Sequence, residues 1–150
     1  MRNNETHELL TIGYEGRRID GFVAQLKALH VARLIDVRER PLSRKRGFSK
    51  TALKEHLEGA NIAYTHIKAL GSPTAIRNKL KSDWDYDYFF KAYEEYLSGQ
   101  IDVLEEVYKF ACGEKICFMC FERAAQQCHR SSVAKKIKEY AGDRLRIKNL

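Results

Sequence analysis

Residues 116–140, ICFMCFERAAQQCHRSSVAKKIKEY, change character twice. The apolar run ICFMCF (116–121) has the length and composition of a buried strand. A polar stretch follows, and then Val133, Ile137 and Tyr140 recur at the spacing of one helical face, predicting a helix over about 129–141. A buried strand that hands over to an amphipathic helix is half of a βαβ unit.

The same alternation repeats on either side. LLTIGYE (9–15) reads as a strand ending in a turn at Gly13–Gly16, followed by a helix capped by Asp20 with Phe22, Val23, Leu26 and Leu29 on its apolar face. A second strand is expected at 33–37 and a basic loop from Arg38 to Gly47. Ser49 then caps a helix to about Glu58, with Phe48 and Leu53 as a hydrophobic staple. NIAYTHI makes a third strand ending near His66. Pro73 opens a short helix with Ile76 and Leu80. Ser82 and Asp85 form a capping pair before the aromatic helix WDYDYFFKAYEEYL, which breaks near Gly99 and resumes over 101–111. LRIKNL adds a fifth, edge strand. The expected fold is a single α/β domain over 1–150, a three-layer sandwich whose mostly parallel sheet of about five strands is flanked by helices, with residues 1–8 flexible.

Composition bounds the rest. A chain of 150 residues with 44% apolar content can bury about 68–70% of its unfolded surface. It contains no apolar run of the roughly 18 residues that would span a membrane. MRNNETHELL lacks the apolar segment of a secretory signal, so a cytoplasmic location and reduced thiols are expected. The formal charge of +7 favours anionic partners. Six basic residues (Arg38, Arg40, Arg44, Lys45, Arg46, Lys50) against Glu39 concentrate a net +5 between 38 and 50.

Parallel crossovers bring all strand C-termini to one edge, where open α/β sheets bind ligands. The expected strand ends carry Tyr14 and Glu15, Asp36 and Arg38, His66, and Cys120 and Glu122. Cys120 and Glu122 are two apart and share a face, so Glu122 can serve as a general base beside a thiol; the plainer reading is a buried thiol and a carboxylate paired with Arg123. Cys128, His129 and Arg130 open a helix, where free N–H groups favour anions and thiolates; the plainer reading is a weakly capped helix. Asp36 can orient Arg38, and Ser43 and Arg44 can complete a phosphate cradle; the alternative is a solvated ion pair. His66 is either a ligand contact or a hydrogen-bonded structural residue. Cys117 and Cys112 read as packing residues, and the aromatic helix as core.

Two other patterns fail on geometry. Cys117-x-x-Cys120 lies within a strand, where an offset of three sends the thiols to opposite faces, so structural zinc is not favoured and no metal or cofactor is expected. Cys117 to Arg123 has the count of a phosphatase loop, but Phe118, Met119 and Phe121 are too bulky for one.

Four of these segments together resemble a known family, catalogued as domain of unknown function 488, from about Leu10 to Tyr140. They are TIGYEG (11–16), IDVRERPLSRKRGF (35–48) with its DVR-x2-P-x-S-R pattern followed by Phe48, the stretch from Leu57 to His66 with Leu70-Gly71, and Cys120-x-Glu122 with Cys128-His129-Arg130. Tyr14-Glu15 departs from the family's common His-Ser, and the Ala/Gln-rich loop 123–127 departs from its acidic and proline residues. The resemblance implies a compact α/β domain with these motifs in one pocket, and it implies no reaction.

The expected function is a small enzyme acting on a nucleotide or nucleic acid. Cys120, Glu122, Cys128 and His129 would be catalytic. Tyr14, Glu15, Asp36, Arg38, Ser43, Arg44, Phe48, His66, Gly71 and Arg130 would bind the ligand. The alternatives are a non-catalytic module that binds nucleotide or nucleic acid through residues 38–50, and a thiol redox or sulfur-handling protein.

Overall fold

All the apolar runs assigned to strands pair in one sheet. The computed structural model describes residues 7–150. β1 (His7–Gly13), β2 (Arg33–Asp36), β3 (Ala63–His66), β4 (Ile116–Cys120) and β5 (Leu145–Asn149) lie in the order β3-β2-β4-β1-β5. Every pairing is parallel, with Leu10 opposite Cys117, Gly13 opposite Cys120 and Asp36 opposite Met119. The sheet is therefore more uniform than the mostly parallel one expected. β5 takes the edge beside β1, as LRIKNL suggested.

The helices are α1 (Ile19–Ala28), α2 (Lys50–Glu58), α3 (Thr74–Asp83), α4 (Tyr86–Ser98), α5 (Ile101–Gly113) and α6 (Arg130–Ala141). Strand alternation divides the core into two apolar layers. Leu10, Ile12, Leu34, Cys117 and Met119 pack with Phe22 and Leu26 of α1 and Leu53 and Leu57 of α2. Leu9, Ile35, Phe118 and Cys120 face the opposite layer, with Tyr93 and Leu97 of α4, Leu104 and Val107 of α5, and Val133 and Ile137 of α6. Cys117 and Cys120 thus face opposite sides of β4, as the offset of three requires. None of the helices in the described residues is long and apolar enough to cross a membrane.

Several local expectations change. Residues 1–6 lie outside the described residues, while His7 and Glu8, expected to be flexible, already belong to β1. Arg18, not Asp20, occupies the α1 N-cap position, and Asp20 falls in the first turn, where its charge still complements the helix dipole. Ser49 sits at the start of α2 without a capping bond, because its hydroxyl donates to the Ser43 carbonyl at 2.9 Å and accepts the Ser43 N–H at 3.0 Å. Asp85 alone caps α4, accepting the Tyr88 N–H at 3.1 Å, while Ser82 belongs to α3. Tyr140 is 45% exposed rather than buried, because the α6 stripe that meets the sheet ends at Ile137.

The topology places a crevice. β4 lies between β2 and β1; those two strands lead into α2 and α1 on one face, and β4 leads into α6 on the other. Neighbouring chains therefore diverge at the C-terminal ends of β1, β4 and β2, the arrangement that leaves room for a ligand in open α/β sheets.

Candidate functional site

A cleft of about 650 Å³ opens at this edge. Its inner wall carries Tyr14, Arg38, Cys120, Glu122 and His129, delivered by the ends of β1, β2 and β4 and by the start of α6. Two close approaches make this convergence possible. Gly13 passes directly against the backbone of Glu122, and Gly71 against the backbone of Glu39, leaving no space for a Cβ at either place. Gly71 therefore shapes the wall by its size.

On the β2 side the polar groups are tightly paired. Asp36 is fully buried and Arg38 is 7% exposed. Arg38 Nε and Nη2 donate to the two Asp36 carboxylate oxygens at 2.9 and 2.7 Å, and the Arg38 backbone N–H donates to Oδ1 at 3.1 Å. Nη1 donates to the Phe48 carbonyl at 2.7 Å and reaches the Tyr14 hydroxyl at 3.4 Å. Tyr64 donates its hydroxyl to Asp36 Oδ2 at 2.6 Å. Burial, reinforced by the Asp36 carboxylate, pushes the Tyr64 phenol well above its ordinary range. Burial also acts to lower the Arg38 pKa, but Asp36 outweighs it and the guanidinium is held more firmly protonated. Arg38 thus has its fork filled by protein acceptors.

The neighbours of this pair are engaged within the protein. Phe48 is buried, stacked on Tyr14 with ring centroids 4.6 Å apart and edge-on to Phe22. His66 bonds the Arg38 carbonyl through Nε2 at 2.7 Å; a carbonyl only accepts, so this nitrogen carries the proton. The Ser43 hydroxyl accepts the Lys45 N–H at 3.0 Å within its own loop. Ser43 and Arg44 lie outside the cleft lining, as do Asp36, Phe48, His66 and Gly71. Glu15 lines the cleft and accepts the Arg123 N–H at 2.9 Å.

The β4–α6 side is built differently. Cys120 and Cys128, on the strand end and just before α6, pair as a disulfide with their Cα atoms 7.2 Å apart, which departs from the reduced thiols expected, because the strand end and the helix start bring the two sulfurs together. Arg130 is fully buried. Its Nη1 donates to the Glu122 carbonyl and lies 3.4 Å from Cys120 Sγ, and its Nη2 donates to the Arg123 carbonyl at 3.1 Å. Arg130 Nε has no hydrogen-bond partner, and among the described residues the guanidinium meets no carboxylate within ion-pair distance. Burial lowers its pKa and also raises that of the Glu122 carboxyl at the cleft wall. His129 Nε2 bonds the Val37 carbonyl at 2.6 Å, so it carries the proton, and Nδ1 faces Cys128 Sγ at 3.9 Å. Burial drives the His129 pKa down to about 4, keeping the ring neutral.

Cys120, Cys128 and His129 have donor atoms within 4.8 Å of one another, a set that a soft metal can use. Arg130 Nη1 against Cys120 Sγ puts a positive charge at one of those donors, the opposite of what a cation site needs. The residues therefore suit an anionic sulfur better than a metal. Cys117 is buried in the other layer, where burial raises its pKa, and Cys112 is exposed.

The outer wall comes from the segment least legible in the sequence. Ser72, Arg77, Leu80, Lys81, Trp84 and Phe89 line the cleft alongside Glu39, Arg40 and Phe121. Arg77 ties α3 to the β2 loop through Glu39 at 3.0 Å and also donates to the carbonyl of Ser72, just before α3, at 2.6 Å. Arg40 and Lys81 make no ion pair among the described residues. Trp84 ends α3 in the left-handed conformation (φ 54°) and is 63% exposed; a bulky residue rarely adopts that backbone. The Ser82–Asp85 turn signal marks the place, since an aromatic side chain in a junction between helices has no helical face on which to be buried.

A family model described as "Domain of unknown function DUF488" matches residues 18–137. No curated protein and no solved structure matches the chain.

Proposed function

Because the chain belongs to the DUF488 family, whose description names no reaction, we propose from the chemistry of the cleft that it is a small enzyme acting on a phosphate-bearing ligand with a flat ring, a nucleotide or a nucleotide unit of a nucleic acid. The observation that carries this reading is the lining of the cleft: exposed Trp84 and Phe121 share it with Arg40, Lys81, Cys120 and Glu122. Aromatic faces stack on any base, and unpaired basic side chains attract phosphate. This assignment moves the anion contacts from Arg38, whose donors are taken by protein acceptors, to Arg40 and Lys81. Glu122, protonated more readily because it is partly withdrawn from water, is the general acid, and Cys120, once its bridge to Cys128 is reduced, is the nucleophile or ligand contact.

Isothermal titration of the full chain with nucleoside monophosphates and a short single-stranded oligonucleotide tests the reading. Trp84→Ala is expected to weaken binding by about 1–3 kcal/mol. Glu122→Gln is expected to preserve binding and abolish turnover of whichever compound binds. Binding that is indifferent to Trp84→Ala sinks the assignment.

One observation supports a non-catalytic alternative. Lys45 and Arg46 border a separate groove with Arg18 and His56 on the α1–α2 side, so part of the basic loop serves another surface. A nucleic-acid module using it would show steep salt dependence. Charge reversal at Arg44 and Arg46 would weaken that binding, and Trp84→Ala would not.

A further inference from the structure

A buried guanidinium without an anion is the least balanced feature of the molecule. Arg130 is fully buried, one of its nitrogens is unpartnered, and among the described residues no carboxylate reaches it. An uncompensated buried charge is costly. The nearest group able to become anionic in direct contact is Cys120 Sγ, 3.4 Å from Nη1. The Arg130 backbone N–H, at the start of the 12-residue helix α6, points to Cys128 Sγ at 3.5 Å. Both sulfurs therefore lie against donors, and they lie against each other.

The geometry points to a redox-active dithiol: Cys120 and Cys128 exchange electrons with small-molecule disulfides that enter the cleft, and Arg130 holds the reduced Cys120 as a thiolate. Both cysteines are buried, Cys120 at 1% and Cys128 at 0% exposure, but Cys120 lines the cleft and Cys128 does not. Cys120 is thus the attacking sulfur and Cys128 the resolving one. The Cys120 thiolate attacks one sulfur of RSSR, forming a mixed disulfide and releasing RS⁻, which takes a proton from water. The Cys128 thiol, facing His129 Nδ1, then attacks Cys120 Sγ. The Cys120–Cys128 bond forms, the second RS⁻ leaves, and the Cys128 proton passes to it. The protein dithiol loses two electrons and RSSR becomes 2 RSH. This chemistry shares Cys120 and the cleft with the proposed nucleotide site, but its test counts thiols, whereas that of the nucleotide site reads binding at Trp84.

The test equilibrates the full-length chain with mixtures of reduced and oxidised glutathione, quenches in acid, alkylates under denaturing conditions and counts modified thiols by intact mass. Denaturing alkylation makes burial irrelevant to the count. Two thiols should disappear together and reversibly, with peptide mapping locating the bridge at Cys120–Cys128 and leaving Cys117 free. Cys128→Ser should trap a glutathione adduct on Cys120, and Cys120→Ser should trap none on Cys128. In the Cys128→Ser protein, adduct formation at pH 6 should be roughly tenfold faster than at exposed Cys112, as a thiolate of lowered pKa requires. Arg130→Met should remove that advantage at pH 6 and leave the rate at pH 9 nearly unchanged. Arg130→Lys, which keeps the charge, serves if the methionine variant does not fold. Thiols that stay reduced at every glutathione ratio, a bridge elsewhere, an adduct confined to Cys112, or stoichiometric zinc released only when both cysteines are replaced would each overturn the proposal.

Discussion

Two arginines stand at the same sheet edge in opposite situations. Arg38 is buried against a carboxylate and has its guanidinium fork satisfied by Asp36, the Phe48 carbonyl and the Tyr14 hydroxyl. Arg130 is buried as deeply, yet it is met by two backbone carbonyls, a sulfur and an empty Nε. A closed pair such as Asp36–Arg38 fixes the β2 end and its loop in one place. An open one leaves attraction for a negative charge that the site, or its ligand, must supply. The first cluster is the frame, and the second is where chemistry is expected.

The comparison can be broken by stability measurements. The largest effect should come from Asp36→Ala, which leaves Arg38 buried and unpaired; a loss of about 3–5 kcal/mol in urea unfolding is expected. A loss below 1 kcal/mol would mean that the frame does not depend on the pair. Next comes pH. His129 joins the two regions, since its proton rests on the Val37 carbonyl between Asp36 and Arg38. Its folded pKa of about 4 lies below the ordinary histidine value of 6.5, so the unfolded chain binds the proton first as pH falls. Stability should be fully present above about pH 6.5 and decline towards pH 4, by about 3–4 kcal/mol at most. His129→Gln should flatten that part of the profile.

Arg130→Met should cost only about 1–2 kcal/mol in the bridged protein, the worth of its hydrogen bonds to the carbonyls, and more in the reduced protein, where it would also strand a thiolate. An equal cost in both states would erase the distinction drawn between the two arginines. The smallest change should be Tyr64→Phe, about 1 kcal/mol for one hydrogen bond to the Asp36 carboxylate, read as a shift of the urea midpoint at constant slope.

Much of the frame was legible before any coordinates. The runs LLTIG and ICFMC are short, apolar and buried, RLID and AYTH are shorter and mixed with polar residues, and the helices between them impose parallel pairing; these signals are local. The parity of Asp36 with Arg38, and the separation of Cys117 from Cys120, followed from the two-residue repeat of a strand. The capping of α1 and the direction of Tyr140 were misread because helix ends and the limits of an apolar stripe depend on what packs against them.

The candidate cleft was legible in part: Tyr14, Glu15, Arg38, Cys120, Glu122 and His129 line it, while Asp36, Ser43, Arg44, Phe48, His66 and Gly71 do not. Sequence alone determined the α/β alternation, and through it the edge at which Tyr14, Arg38, Cys120, Glu122 and His129 gather, because strand and helix periods are written in neighbouring residues. Only the tertiary structure decided which arginine is paired. Asp36 could satisfy Arg38 because the two are adjacent on one strand, whereas Arg130 enters from a helix on the opposite face and meets carbonyls contributed by the β4 loop. It also decided that Trp84 and Lys81 complete the cleft and that Ser43 and Arg44 do not. Those outcomes rest on where α3 and the basic loop settle against the sheet, a matter of long-range packing that no local pattern encodes.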